Sequence, residues 1–278
     1  MAPMKIDSHH HFWKYSKAEY GWMSDEMDRI RRDFLPADLE AEIRKAGVDG
    51  VVSVQARQTE EETRFLLDFA EEHDFIRGVV GWVPLIEPDV EQSIDRFAKN
   101  KWLKAVRHVL HDEADDRYML RDDFNRGIAL LKDRDLVYDI LIFEKHLPQT
   151  LQFVDRHPDQ VFVVDHVAKP RIKDDLLSPW QSRMVELAHR PNVYCKVSGM
   201  ATEADWANWT PEQLRPYFDT VLSAYGPKRL MFGSDWPVCL VAVEYERWHS
   251  IVEDWVSDLS ADEQERILGG TAVEAYKL

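Results

Sequence analysis

The chain predicts an α/β fold, a (β/α)8 barrel formed by one domain over residues 1–278. Three observations carry that prediction. The 278 residues are 45% hydrophobic, a size and composition that suit one large barrel. Short apolar runs rich in β-branched residues alternate with longer charged stretches of helical spacing, the rhythm of βαβ units. Histidines and an aspartate stand at the ends of the first, sixth and eighth of these runs, where a barrel keeps its reactive groups.

Taken in order, the strands are expected at Met4–Phe12, Val48–Ala56, Ile76–Leu85, Leu103–Leu110, Val137–Phe143, Val161–Ala168, Val193–Met200 and Arg229–Val238. Each is short and largely apolar, as parallel strands covered on both faces require. Between them, Pro36–Ala46 opens with a proline in its first turn and stops at Gly47, a start and stop suited to a helix. Glu60–Glu72 puts Phe65, Leu66 and Phe69 on one face. Asp89–Lys99, Phe124–Asp133, Leu147–Arg156, Trp180–His189 and Pro211–Tyr225 read as further helices, and Thr271 is placed to cap a last one holding Val273 and Tyr276. The stretches Trp13–Leu35 and Thr202–Pro216 exceed ordinary loop length, and both follow strands, so both should lie over the mouth. A doubly wound open sheet is the alternative, lowered by the lack of G-x-G-x-x-G after the first strand.

Composition excludes several classes. With 35 basic against 51 acidic side chains, the net charge is −16. Such a chain lacks the basic face that neutralises phosphates or adheres to an anionic membrane. No nucleic-acid partner and no membrane association are expected. Two cysteines, Cys195 and Cys239, make no disulfide framework and read as core filler, which points to a reducing, cytoplasmic setting. Met1 to Lys5 leads directly into the first strand without a long apolar segment, so neither a leader nor a membrane span is expected. Oligomeric state is left open.

The candidate chemistry sits at strand ends. In Asp7-Ser8-His9-His10-His11-Phe12-Trp13, strand alternation points His9 and His11 one way and His10 the other. Two imidazoles on one face suit a metal or an anion. Asp165-His166-Val167-Ala168-Lys169-Pro170 ends the sixth strand, where His166 is either a buried structural histidine or a site residue. Phe232-Gly233-Ser234-Asp235-Trp236-Pro237 ends the eighth, where Asp235 is either a helix cap or an acid at the mouth. These residues converge only if the sheet closes. Together His9, His11, His166 and Asp235 would then suit a single divalent metal or a metal-free site that activates water. Gln55, Arg57, Trp82, Arg107, His108, Lys169 and Arg171 form a second tier for substrate. Arginine offers a fixed fork of donors, and tryptophan a flat face for sugar C–H surfaces. The run Asp112, Glu113, Asp115 and Asp116 reads as a solvated loop. No nucleophile elbow, phosphate loop or paired C-x-x-C occurs.

At these residues the chain resembles the amidohydrolase superfamily, in its lactonase-rich branch. The resemblance rests on the two His/Asp motifs above, on Lys196-Val197-Ser198-Gly199, on Gly233-Ser234-Asp235-Trp236-Pro237-Val238 and on Gly269-Gly270-Thr271-Ala272, with Thr271 where asparagine is expected. It covers essentially the whole chain. Within the branch, Arg31-Arg32-Asp33-Phe34-Leu35-Pro36, Val54-Gln55-Ala56-Arg57-Gln58, Gly78-Val79-Val80-Gly81-Trp82-Val83, Val106-Arg107-His108-Val109 and Glu203-Ala204-Asp205-Trp206 are most similar to L-fuconolactonase-type sugar lactonases. Binuclear relatives carry a strand-four lysine and a strand-five histidine. Here strand four ends Arg107-His108 and strand five Ile142-Phe143-Glu144, so a two-metal site is not expected. The branch implies at most one ion, zinc first, and some members need none. The expected ligands are His9, His11, His166 and Asp235.

The resemblance implies opening of an aldonolactone, such as L-fucono-1,5-lactone or an L-galactono- or D-arabinono-lactone, with Asp235 as general base. His9, His11 and His166 hold a metal or position water, Arg107 or His108 meets the oxyanion, and Trp82 and Gln55 read the sugar. Rival readings are a single-metal decarboxylase, a dicarboxylate-lactone hydrolase needing several converging arginines, and a non-catalytic sugar binder.

Overall fold

The computed structural model describes residues 4–278; the reading of residues 1–3 as part of a leaderless start lies outside them. Its strands are β1 (Ile6–His10), β2 (Gly50–Val54), β3 (Ile76–Gly81), β4 (Leu103–Val109), β5 (Val137–Leu141), β6 (Phe162–Val164), β7 (Val193–Val197) and β8 (Leu230–Phe232). They lie in chain order in one sheet of eight, each parallel to the next. β1 and β8 meet just past the end of β8, where Asp235 N donates to His9 O at 2.8 Å and His11 N to Trp236 O at 2.7 Å. The seam of the ring is thus closed by backbone of the expected site itself. The expected (β/α)8 barrel is the observed fold.

Strand alternation sorts side chains into two cores. Val106, Tyr138, Ile140, Phe162, Val164, Val193, Cys195 and Val197 pack outward against helices. Val52, Val54, Val80, Ala105, Val137, Val163 and Met231 fill the barrel interior. That period of two is the pleat. The interior layer is plugged from below by Ala272, Ala275 and Tyr276 of the last helix.

The helices are α1 (Pro36–Ala46), α2 (Glu60–Glu72), α3 (Val90–Phe97), α4 (Asp122–Ala129), α5 (Leu147–Asp155), α6 (Trp180–Leu187), α7 (Pro211–Tyr225), α8 (Tyr245–Val256), α9 (Ala261–Glu265) and α10 (Thr271–Tyr276). α1 ends where expected, with Gly47 left-handed at φ 68°. Two expectations fail. α8 was not anticipated, although Tyr245, Trp248, Ile251, Val252, Trp255 and Val256 recur at helical spacing and are buried. Aromatic and β-branched residues are weak helix formers, and packing rather than propensity makes this helix. Thr271 is not a cap. α9 runs through a wide turn at Arg266–Gly270 into α10, so Thr271 has helical angles (φ −66°, ψ −41°). Its hydroxyl donates to Pro227 O at 3.1 Å instead.

β6 and β8 are shorter than expected, and the reason bears on the site. After Val164 the chain turns left-handed at four consecutive residues, His166, Val167, Ala168 and Lys169, with φ between 45° and 60°. After Phe232 it does so at Asp235, φ 59°. Left-handed backbone is costly for side-chain-bearing residues, most of all for valine, and such strain concentrates where structure over-determines a functional geometry. Trp180 Nε1 pins the first turn by donating to Val167 O at 2.7 Å.

Candidate active site

His9 ends β1 with its ring over the barrel interior, and His11 follows two residues on. His10 points away, 2.9 Å from Ser53 Oγ and edge-on to Phe12, as alternation requires. The left-handed turns carry His166 and Asp235 back over the same end. Asp235 Oδ1 lies 3.4 Å from His11 Nε2 and 3.8 Å from both His9 Nε2 and His166 Nε2. His9 and His11 face each other, Nε2 to Nε2, at 3.2 Å. The barrel therefore brings together the residues that the sequence singled out. Asp235's side chain is in this cluster and caps no helix; its carbonyl, not its carboxylate, accepts from Cys239 N.

Second contacts orient each ring. His11 Nδ1 is 2.8 Å from Val54 O; a carbonyl only accepts, so Nδ1 carries the proton and Nε2 offers a lone pair to the cluster. His166 Nδ1 pairs with Ser198 Oγ at 2.9 Å. Its other flank is Gly199, left-handed at φ +64°, where a Cβ would stand 2.7 Å from the ring. Asp7 Oδ1 accepts from His9 N at 3.1 Å and Ser234 N at 2.9 Å, tying β1 to the loop after β8.

These groups are buried, and burial sets their charge. It pushes His166 down to about 4, against the pull of Asp235 and Asp165, and holds His9 well below the ordinary imidazole range. For Asp235 burial works the other way, but His166, His11 and Lys169 outweigh it and hold its carboxyl below the usual value. At neutral pH the site is a carboxylate facing neutral His9 and His166.

Beneath it lies a buried ionic lattice. Lys196 Nζ is 2.6 Å from Asp139 and 3.0 Å from Asp165. Arg107 Nη1 donates to Asp165 Oδ2 at 2.9 Å. Tyr276 OH on α10 donates to the Asp139 carboxylate at 2.9 Å. Burial and the neighbouring Asp165 push Asp139 up, against Lys196, to about 6. Two cations and two carboxylates so placed balance within the low-dielectric interior. Asp139, Asp165 and Lys196 were missed as site residues. Their signal was a charged residue in each of three apolar strand runs, an expensive placement unless paired.

A cavity of about 330 Å³ opens above the cluster, and His11, Arg107, His166, Lys169 and Asp235 line it. Both long loops reach it, through Trp22 and Met27 on one side and Thr202, Glu203 and Trp206 on the other. Lys169 Nζ is 2.6 Å from Glu203 Oε1, and that carboxylate outweighs burial and raises the lysine. The second tier divides here. Gln55 is fully buried and does not reach the cavity; its side chain accepts from Arg107 Nε and Nη2 at 3.1 and 2.7 Å. Trp82 and His108 lie outside the cavity wall, where Trp82 Nε1 donates to His108 Nδ1 at 3.3 Å and His108 Nε2 meets Glu113 at 2.7 Å. Arg57 is held by Glu19 and Glu62, and Arg171 by Asp174. These residues were placed by strand-end position, but side-chain direction in the folded barrel turned them elsewhere. The acidic run is not all solvated loop: Asp112 lines the cavity, with His111 and Phe143.

The donor set fits one small cation. Two donors on a tetrahedral zinc at about 2.0–2.1 Å lie about 3.4 Å apart. The cluster's separations of 3.2, 3.4 and 3.8 Å match that edge. When Nε2 of His9 is unprotonated, its lone pair and that of His11 face each other, and a cation between them would satisfy both. His9, His11 and Asp235 form one such ligand group, and His9, Asp165 and His166 another.

Comparison with known proteins agrees with this geometry. The amidohydrolase family profile matches residues 6–278. A Burkholderia multivorans protein named L-fucono-1,5-lactonase is 42% identical, over 100% of this chain and 97% of its own. A Burkholderia ambifaria protein of the same name is 38% identical, over 99% and 96%. The crystal structure of a B. multivorans amidohydrolase with bound zinc superposes with a TM-score of 0.95 at 42% identity, covering 99% of both chains. Among the described residues no helix is long and apolar enough to cross a membrane. The full-length profile match and the strand-end His/Asp cluster together place this chain in the amidohydrolase family.

Proposed function

We propose that this protein hydrolyses a neutral sugar-acid lactone of the L-fucono-1,5-lactone class to its aldonate, with Asp235 as general base. One observation carries the reading. The Asp235 carboxylate lies 3.4–3.8 Å from three imidazoles at the floor of a cavity sized for a monosaccharide. The full-length relatives named L-fucono-1,5-lactonase support the substrate class.

Water attacks the ester carbonyl, its oxygen forms the new C–O bond, and Asp235 takes its proton. The ring C–O bond then breaks, and Asp235 returns the proton to the leaving ring oxygen. An ordinary aspartate is a modest base, and this one is held lower still, so the water must be made more acidic. A single divalent ion, zinc first, held by His9, His11, His166 and Asp235, would supply that by lowering the pKa of water toward about 7. The oxyanion role passes from Arg107 to Lys169. Four of the five guanidinium N–H groups of Arg107 are engaged by Gln55 and Asp165, and the fifth faces His9 Nε2, whereas the Lys169 ammonium reaches the cavity with one partner, Glu203. His108 Nε2 faces Glu113 rather than the cluster. Both cations at the cavity are already matched by carboxylates, Arg107 by Asp165 and Lys169 by Glu203, which disfavours a dicarboxylate and suits a neutral sugar.

The test is acid release across L-fucono-, L-galactono-, D-arabinono- and L-rhamnono-lactones, with and without a chelator. Turnover should be highest on the first and its close stereochemical relatives, and should drop on chelation. No turnover on any lactone, or carbon dioxide release from an aromatic acid instead, would overturn the reading.

A further inference from the structure

His9 is fully buried, and each of its ring nitrogens faces one hydrogen-bond donor and one acceptor. Nδ1 lies 3.2 Å from Lys196 Nζ, a donor, and 3.3 Å from Asp165 Oδ1, an acceptor. Nε2 lies 3.3 Å from Arg107 Nη1, a donor, and 3.2 Å from His11 Nε2. That last atom is an acceptor, because the Val54 carbonyl fixes the His11 proton on Nδ1. We propose that Asp165 and Lys196 compete for Nδ1 of His9, and that this competition sets how tightly the site takes a divalent cation.

A neutral imidazole carries one proton, and the cage serves both placements. With the proton on Nδ1, His9 donates to Asp165, and its Nε2 lone pair points with that of His11 toward Asp235. This form binds a cation. With the proton on Nε2, His9 donates to His11 and accepts from Lys196 at Nδ1. This form is complete without a cation. The first form, with a cation on Nε2, leaves both Lys196 and Arg107 without the ring as acceptor, and the second leaves Arg107 alone. Both keep other partners, Lys196 two carboxylates and Arg107 Gln55 with Asp165. Without a cation the first form sets two lone pairs 3.2 Å apart, so the metal-free protein favours the second. Metal loading then requires a tautomer change, and the apparent affinity falls by the fraction of protein in the competent form.

Asp165 and Lys196 are positioning residues, since neither needs to touch substrate. Lys196 is in turn held by Asp139, and Asp139 by Tyr276 on α10. The C-terminal helix thus reaches the metal group through three hydrogen bonds.

The inference rests on the single-metal reading of the site. Its readouts do not pass through lactone turnover, so either can fail without the other. Nitrogen-15 histidine spectra of the intact protein, with His9 signals identified by a His9→Gln variant, report the tautomer directly. The metal-free protein should show His9 protonated on Nε2, and zinc should move the proton to Nδ1. Zinc affinity is measured against a chromophoric chelator. Asp165→Asn should weaken it roughly 10–100-fold, the usual effect of losing an outer-shell partner. The charge-balanced pair Lys196→Met with Asp139→Asn should tighten it, by roughly tenfold if about a tenth of the metal-free protein is competent. Nδ1 protonation of His9 in the metal-free wild type, a measurement that needs no folded variant beyond the assignment control, would overturn the proposal. So would a folded double variant that binds zinc no tighter than wild type.

Discussion

Replacing Gly199 by alanine tests whether the His166 ring belongs to the reacting site. Gly199 sits at φ +64°, and an added Cβ would stand 2.7 Å from His166 Cγ and Nδ1. The left-handed backbone alone costs alanine about 1–2 kcal/mol. Ordinary contact begins at 3.4 Å, so ring and loop must part by about 0.7 Å. The ring cannot yield freely. Ser198 holds Nδ1 at 2.9 Å, and Asp235 stands 3.8 Å from Nε2. Misplacement of a catalytic group by about 1 Å can cost about 10²-fold, so turnover per folded molecule should fall between tenfold and a hundredfold on that scale. The assay pairs urea unfolding with initial rates on L-fucono-1,5-lactone, normalised to folded protein. A variant less stable by the backbone cost but with wild-type turnover would show that His166 is a buried structural histidine.

Asp235→Asn removes the proposed base without changing shape, and should lower turnover by about 10²–10⁴-fold with little change in melting temperature; near-normal rates would transfer the role to another group. If the Lys169 ammonium meets charge that develops in the transition state, as proposed, Lys169→Met should lower kcat with a smaller effect on KM; a pure KM effect would refute that role. Asp7 gives a pH signature. Burial raises its carboxyl to about 6, well above its unfolded value. Its contribution is therefore fully present below about pH 4 and is lost as pH rises through 6. Asp7→Asn keeps an acceptor for His9 N and Ser234 N, so relative to wild type it should gain stability between pH 4 and 7, by about 3 kcal/mol at most. Parallel stability–pH curves for the two proteins would contradict the raised carboxyl.

Much of this was legible in the sequence. The eight apolar runs and their helical spacers specify the barrel, because two-residue and 3.6-residue periods are local properties of the chain. His9, His11, His166 and Asp235 could be singled out for the same reason, since strand ends locate the mouth of a closed parallel barrel. Closure itself, with its seam at His9, His11 and Asp235, depends on contacts more than two hundred residues apart. So do the directions of Gln55, Trp82 and His108, which stand at strand ends yet turn away from the cavity. Tertiary structure alone decided the buried lattice under the site. Lys196, Asp139 and Asp165 are charges in apolar strands, which no local rule favours, and only the closed interior shows that they neutralise one another. Side-chain direction and charge pairing are settled by neighbours distant along the chain, whereas periodicity is settled by neighbours close by.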